Sequence, residues 1–340
     1  MKLKDTLTIL IPLWGRDRST KILLKYMSAI NVPFKILMAD GGGSDNSDWI
    51  SKDNFPNLDV EYHNYGSDDN IHKFMRKMDL ACSSITTPLT IMLDNDDFFS
   101  LGGLIAGVDF LSKSDDFASF RENVRGYHDG RDIYTNGSIA SNHPTQRIVD
   151  LFAQGRMGGG INSAWHDMCR THILQKMFKI MHQSKNEDFQ LSHSVNKFWS
   201  LFYGKAHKGH EKPYMYHMSG NSLVQGKGIY SKYKDWIHDS KFKNSMAITA
   251  SLIKGILRDR DPISTTLIQE LIIQDPYDLG GHTLASDATI GSILEMSHEY
   301  DDLVNNTLDE PDQTPSSFVL AEPAEFEFDS NSQLIEKLIQ

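Results

Sequence analysis

Residues 89–99 have the sequence Leu89-Thr90-Ile91-Met92-Leu93-Asp94-Asn95-Asp96-Asp97-Phe98-Phe99. The apolar run predicts a buried strand, and it stops abruptly at three carboxylates. Because open α/β sheets bind ligands at the carboxyl ends of their strands, these acids are candidate site residues. Strand side chains alternate, so Asp94 and Asp96 are expected on the same side, converging on one cation. Mg²⁺ and Mn²⁺ favour such oxygen ligands and often share them with substrate phosphates, so a nucleotide diphosphate is the expected partner.

The acidic run has two other interpretations. Asp-rich segments after strands often form only turns or helix caps, and this alternative stays open. A calcium loop of the EF-hand type needs Gly at its sixth position, where this chain has Phe99, so that class is disfavoured.

The composition indicates a globular chain with a substantial core. At 340 residues and 39% hydrophobic content, one large domain with a smaller appendage is expected. No apolar run approaches the roughly 20 residues that span a bilayer, and no signal peptide is evident, so we expect a cytoplasmic protein. Cys82 and Cys169 lie in no metal-ligand or redox motif, which predicts buried free thiols.

Charge is distributed unevenly along the chain. The net charge of −11 disfavours a nucleic-acid partner. Residues 305–330 contain seven acids and no Lys or Arg, whereas residues 205–234 contain six lysines and one acid. The basic stretch is either a surface that faces phosphates or a solvated loop of lysines.

Strand and helix patterns alternate in the first part of the chain. Strand patterns occupy residues 7–12, 34–39, 58–63 and 89–93, and helical patterns occupy residues 22–30, 70–83, 101–111 and 171–182. This alternation predicts an α/β fold with a mainly parallel sheet flanked by helices.

The C-terminal part has a different pattern. From residue 235 to about 303 the apolar spacing is helical, with Ile248, Leu252 and Ile253 on one face. The sequence therefore predicts an α/β domain at 1–234, a helical appendage at 235–304 and an acidic, partly irregular tail at 305–340. The helices could form a homodimer, contact a membrane-bound acceptor complex or cap the core, and the sequence does not choose.

Four elements, in order, resemble the GT-A type glycosyltransferases, especially the broad family 2 group. They are the strand end Ile11-Pro12, the turn 38–46 (Met-Ala-Asp-Gly-Gly-Gly-Ser-Asp-Asn), the D-x-D-D sequence at 94–97 and the E-D-x-x-L sequence at 187–191. The resemblance covers roughly residues 5–230. It implies a Rossmann-like GT-A fold and a nucleotide-sugar donor.

The resemblance also implies a donor site. By analogy, Asp40 contacts a uracil base, with Gly41 in the same turn. Pro12, Trp14 and Arg16 lie in the loop that flanks base and ribose, and Trp14 is placed to stack on the base. A loop cap remains the alternative for Asp40, and core packing the alternative for Trp14.

The same analogy assigns the acidic run. Asp94 becomes a ribose or water-mediated metal contact, Asp96 the direct ligand of Mn²⁺ or Mg²⁺, and Asp97 a supporting acid, with Asn95 beside the donor. His217 is a candidate third metal ligand or, alternatively, a packed histidine. Lys227, between two glycines, is a candidate lid residue that closes over the diphosphate.

An inverting transfer needs a base that takes the proton of the acceptor hydroxyl. Asp188 fits that role by its place in the E-D-x-x-L sequence, and Glu187 is expected to bind hydroxyls of the acceptor or donor. The alternative is a pair of acids favoured at a helix N-terminus.

Together these features predict a metal-dependent, inverting glycosyltransferase that moves one sugar from a UDP-sugar to a glycan or lipid-linked glycan. The chain lacks the Q-x-x-R-W sequence of processive synthases, which favours single-sugar addition. It also lacks a dinucleotide fingerprint and a phosphate-binding loop. Alternatives are a sugar-1-phosphate nucleotidyltransferase and a catalytically silent glycan- or nucleotide-binding module.

Overall fold

The structure, a computed structural model, describes residues 2–126, 137–154, 165–185, 195–196, 198–217, 240–257, 334–335 and 337–338. These residues form a sheet of eight strands with helices on both faces. The strands are β1 (Leu7–Leu13), β2 (Lys35–Asp40), β3 (Asp59–Asn64), β4 (Leu89–Met92), β5 (Phe98–Phe99), β6 (Phe117–Gly126), β7 (Met168–Arg170) and β8 (Lys205–His217). The helices are α1 (Asp17–Ala29), α2 (Ile71–Ser84), α3 (Leu101–Lys113), α4 (Pro144–Gln154), α5 (Thr171–Gln183) and α6 (Ser240–Leu257).

The first half of the sheet is parallel, in the order β3-β2-β1-β4. Side chains alternate along β1, so Ile9 and Ile11 enter one hydrophobic cluster while Leu10 enters the cluster on the opposite face. Both faces of β1, β2 and β4 are buried, which explains why these three strands are mainly apolar runs, whereas the edge strand β3 is largely polar. Helices α1 and α3 cover one face, and α2, α5 and α6 cover the other.

The second half of the sheet is mixed. β7 runs antiparallel to both β4 and β6, β6 runs parallel to β8, and β5 runs antiparallel to β8. The α/β class is confirmed, and the sheet is curled and mixed where the sequence predicts a mainly parallel one. Because β7 is antiparallel to β4, the residues that precede Met168 lie beside the carboxyl end of β4.

The strand prediction for the acidic run is wrong in one respect. β4 ends at Met92, and the chain then turns so that the N–H of Asp97 donates to the carbonyl of Asp94 at 3.1 Å. The alternation that would place Asp94 and Asp96 on one side therefore does not apply, since it holds only for extended backbone.

The basic stretch is not a solvated loop in its described part. Residues 205–217 form β8, where Lys208 is buried at 5% exposure and Lys205 pairs with Asp116. The predicted apolar face of the C-terminal helix is also corrected: Ala250 and Ile253 are buried in the core, but Ile248 is 48% exposed.

Part of the predicted irregular tail is ordered against the core. Leu334, Ile335, Lys337 and Leu338 are helical, and Ile335 is fully buried in the cluster formed by β1, α1 and α3. The three domain boundaries stay a prediction.

The cysteines and the membrane-spanning potential of the helices can also be assessed in the structure. Cys82 and Cys169 are free and buried, as predicted. Within the described ranges, every helix is too short or too polar to cross a bilayer.

Candidate functional site

The loops that follow β1, β2 and β4 meet at one edge of the sheet. β1 and β2 run in parallel register with Leu13 opposite Asp40, and β4 pairs with the other side of β1. Pro12 is tolerated in this central strand because β4 has ended opposite Leu10, so no ladder partner is left for the missing N–H. The edge therefore carries the β1–α1 loop, the turn after β2 and residues 94–97, here called the acidic loop.

Two carboxylates of the acidic loop converge with a histidine from outside it. Ligand atoms of Asp94, Asp97 and His166 all lie within 4.8 Å of one another, and the Nε2 atom of His166 is 3.6 Å from Oδ2 of Asp97. Asp97 and His166 are buried, whereas Asp94 is half-buried. The carbonyl of His166 accepts a hydrogen bond from the Tyr214 hydroxyl at 3.1 Å. Among the described residues, this is the one group of three His, Cys, Asp or Glu side chains close enough to share a cation.

The side chains of Asp94, Asp97 and His166 fit a divalent cation of the predicted type. Two carboxylates and an imidazole are acceptable ligands for Mn²⁺, and carboxylates suit Mg²⁺. The turn in the acidic loop explains why this group contains Asp97 and not Asp96, because the turn brings Asp97 beside Asp94. The assignment of Asp96 as the direct ligand stays a prediction.

Asp96 instead forms an ion pair with Arg16. Arg16 and the preceding Gly15 both have left-handed backbone, with φ of 60° and 67°. This conformation costs a non-glycine residue roughly 1 kcal/mol, and the ion pair helps to offset that cost. Asn95 makes a second link, since its Nδ2 donates to the Gly15 carbonyl at 3.1 Å and to Thr20 Oγ1 at 2.9 Å. The acidic loop and the β1–α1 loop are thus tied together.

Asp40 is held by three hydrogen bonds from its own neighbourhood. Its Oδ1 accepts from the Gly42 N–H at 2.7 Å, and its Oδ2 accepts from Asn46 Nδ2 and the Tyr62 hydroxyl at 2.8 Å each. The residue is 1% exposed. Burial and the nearby Asp40 charge raise the pKa of Tyr62, so its hydroxyl remains a donor. The turn after β2 is therefore a fixed structure around a buried carboxylate.

A buried ion pair lies directly behind that turn. Lys77 of α2 pairs with Asp68, and its Nζ also donates to the Leu13 carbonyl at 3.0 Å. Burial lowers the pKa of Lys77 and raises that of Asp68, while the attraction within the pair opposes both effects. Gly41 is required here, since a Cβ atom would lie 2.2 Å from Asp68 Oδ2.

A second buried charged group supports the segment that carries His166. Asp167 lies 3.4 Å from Nη1 of Arg121 and 3.7 Å from Nζ of Lys208, and Ser119 Oγ donates to it at 3.5 Å. Burial lowers the pKa of Lys208 to about 8. These contacts anchor Asp167 to β6 and β8, and so hold its neighbour His166 at the sheet edge.

Some of the other predicted site residues lie within the described part of the chain. Pro12 is half-buried in β1, and Trp14 is 36% exposed at the site edge. The backbone of His217 ends β8 opposite Gly126, and its proposed metal contact stays a prediction. Glu187, Asp188 and Lys227 lie outside the described residues.

Sequence reasoning missed His166, Trp165, Asp68 and Lys77. Trp165 donates from Nε1 to Asp94 Oδ1 at 3.1 Å across 71 positions of sequence. The available signal was the run of an aromatic residue, a histidine and an acid at 165–167. Lys77 is a cation on the apolar face of an amphipathic helix, a pattern that indicates a buried partner.

Comparison with solved structures identifies the architecture. The chain matches the crystal structure of S. aureus TarS 1–349 with a TM-score of 0.54 and 12% identity, covering 88% of this chain and 83% of that one. The fold is of the GT-A type. TarS 1–349 in complex with UDP-GlcNAc matches over the same shares, with a TM-score of 0.55 and 13% identity. Neither a protein-family model nor a curated protein sequence matches the chain.

Proposed function

We propose that this GT-A fold protein is a glycosyltransferase that transfers a single sugar from a nucleotide diphosphate sugar to a glycan or lipid-linked glycan. The observation that carries the proposal is the convergence of Asp94, Asp97 and His166 at the carboxyl edge of the sheet. The four sequence motifs that resemble family 2 support the same activity.

A UDP-sugar is the proposed donor. TarS 1–349, which has a similar fold, was crystallised with UDP-GlcNAc. In this chain, Trp14 is exposed beside the turn of Asp40 and Gly41, so a base could stack there while its polar edge faces the turn. Arg16 extends from the same loop toward the acidic residues, where a diphosphate would lie.

Mn²⁺ or Mg²⁺ is the proposed cofactor, held by Asp94, Asp97 and His166, with Asp96 and His217 as the further ligands that the motif analogy suggests. When bound, such an ion neutralises negative charge on a departing nucleoside diphosphate. Asp97 and His166 are buried and lie 3.6 Å apart, so burial restricts the side chains that would hold the ion.

Inversion at the sugar carbon is proposed from the motif analogy alone. Asp188 would take the proton of the acceptor hydroxyl, and Glu187 would bind a hydroxyl of either substrate. Lys227 would close over the diphosphate. A product with the same anomeric configuration as the donor would contradict this part of the proposal.

The first test of the proposed function is whether ligands raise the melting temperature of the protein. The melting temperature is measured with UDP, GDP, CMP or ADP, each with and without Mn²⁺, because a ligand that binds the native state raises it. We expect a Mn²⁺-dependent increase with UDP that is lost in Asp97→Asn and kept in Asp109→Asn, which changes an exposed acid on α3. Transfer from UDP-sugars to glycan acceptors is then measured by UDP release.

The alternatives give different results in the same experiments. Release of pyrophosphate from a nucleoside triphosphate and a sugar 1-phosphate would favour the nucleotidyltransferase. Absence of turnover would favour the silent module: a nucleotide-binding one if a nucleotide still raises the melting temperature, and a glycan-binding one if none does.

A further inference from the structure

Trp165 donates a hydrogen bond to the acidic loop. Its indole Nε1–H donates to Oδ1 of Asp94 at 3.1 Å. The next residue in the chain is His166, whose imidazole lies with Asp94 and Asp97 in the candidate cation site. Two adjacent residues therefore serve the site: His166 is one of its three side chains, and Trp165 donates a hydrogen bond to Asp94, which is another.

Aromatic side chains of two helices hold the indole ring. Phe74 of α2 stacks on it with ring centroids 6.2 Å apart and an interplanar angle of 24°. Phe178 of α5 packs edge-on, at 6.4 Å and 86°. Since both helices pack on the same face of the sheet, the N–H vector of Trp165 is fixed relative to the end of β4.

We propose that Trp165 is a positioning residue that fixes the Asp94 carboxylate for a divalent cation. The proposal rests on the proposed function, because that function supplies the reason for a cation at this site. A neutral indole donor orients a carboxylate without cancelling its charge, whereas a guanidinium, as at Asp96, does both. Hydrogen-bond partners behind metal ligands typically change metal affinity by about 10- to 100-fold.

The test replaces Trp165 by Phe, which keeps an aromatic ring between Phe74 and Phe178 but removes the N–H. The matched control is Trp199→Phe, because Trp199 also donates its Nε1–H, to the Ile173 carbonyl at 2.7 Å, but does so in the core. The dissociation constant of Mn²⁺ is measured by calorimetry on the full chain, and the melting temperature is recorded for each variant.

We expect Trp165→Phe to weaken Mn²⁺ binding by about 10-fold or more, and Trp199→Phe to leave it unchanged. In transfer assays, the apparent KM for Mn²⁺ should rise in Trp165→Phe while kcat at saturating Mn²⁺ is kept. Equal Mn²⁺ affinity in Trp165→Phe and the native chain would overturn the proposal, as would an equal loss in both variants.

The same measurements distinguish failure of the positioning role from failure of the proposed function. If the chain binds Mn²⁺, loses affinity in Trp165→Phe and turns over no nucleotide sugar, the positioning role stands and the glycosyltransferase assignment fails. A native chain that binds no Mn²⁺ overturns the positioning role itself.

Discussion

We expect the free energy of unfolding to rise between pH 8 and pH 10.5 because of one buried lysine, Lys208. Burial lowers its pKa to about 8 from 10.5, and the attraction of Asp167 offsets this only in part. Between the two values the unfolded chain binds the proton and the folded chain does not. Stability contributed by Lys208 therefore increases as the pH rises through this window.

The size of the effect follows from the same two values. The pKa of Lys208 in the folded protein lies about 2.5 below its ordinary value, and each pKa unit corresponds to about 1.36 kcal/mol. Lys208 is only 5% exposed, so solvent screening reduces this figure little. The native protein should gain about 3 kcal/mol from this residue across the window.

Urea unfolding at pH 7.5, 8.5, 9.5 and 10.5, followed by tryptophan fluorescence, measures the effect. The difference in unfolding free energy between the native chain and Lys208→Met should change by about 3 kcal/mol in favour of the native chain. Lys205→Met, on the same strand but paired with the exposed Asp116, controls for the loss of a lysine. A difference that stays constant across these pH values would refute the burial argument.

Two other predictions concern packing and are tested by urea unfolding. Gly41→Ala should destabilise the protein by about 1–3 kcal/mol, because its Cβ would lie 2.2 Å from Asp68 Oδ2 and displace a buried carboxylate. The control is Gly102→Ala, whose Cβ would come no closer than 3.7 Å to its nearest neighbour. Equal stability of the two variants would contradict the prediction. Ile335→Ala should cost about 2–4 kcal/mol, since the side chain is fully buried. Lys337→Ala, at an exposed position of the same turn, should change little, and an unaltered midpoint in Ile335→Ala would show that this segment does not pack on the core.

The parallel half of the sheet was predictable because β1, β2 and β4 are mainly apolar runs whose boundaries are marked by neighbouring residues. The helix at 70–83, for example, begins after Asn70, whose side chain caps it by accepting from the Lys73 N–H at 3.0 Å. Such signals depend on neighbours in sequence. The antiparallel strand β7 has only three residues, and its pairing with β4 depends on contacts distant in sequence, so no pattern indicated it.

The candidate site was predictable in part for the same reason. The acidic loop was found because its three acids follow a strand. Its internal geometry was not, because a hydrogen bond from Asp97 N–H to the Asp94 carbonyl replaces the expected extended backbone. The contribution of His166 depends on the short strand β7, so its role could be seen only in three dimensions.

The packing of Ile335 affects the order in which the protein can fold. Leu3, near the start of the chain, packs against the same hydrophobic cluster that buries Ile335. Contacts between such distant parts of a sequence require closing a very long loop, which slows folding. During synthesis the hydrophobic cluster on this face of the sheet therefore stays incomplete until residue 335 has left the ribosome.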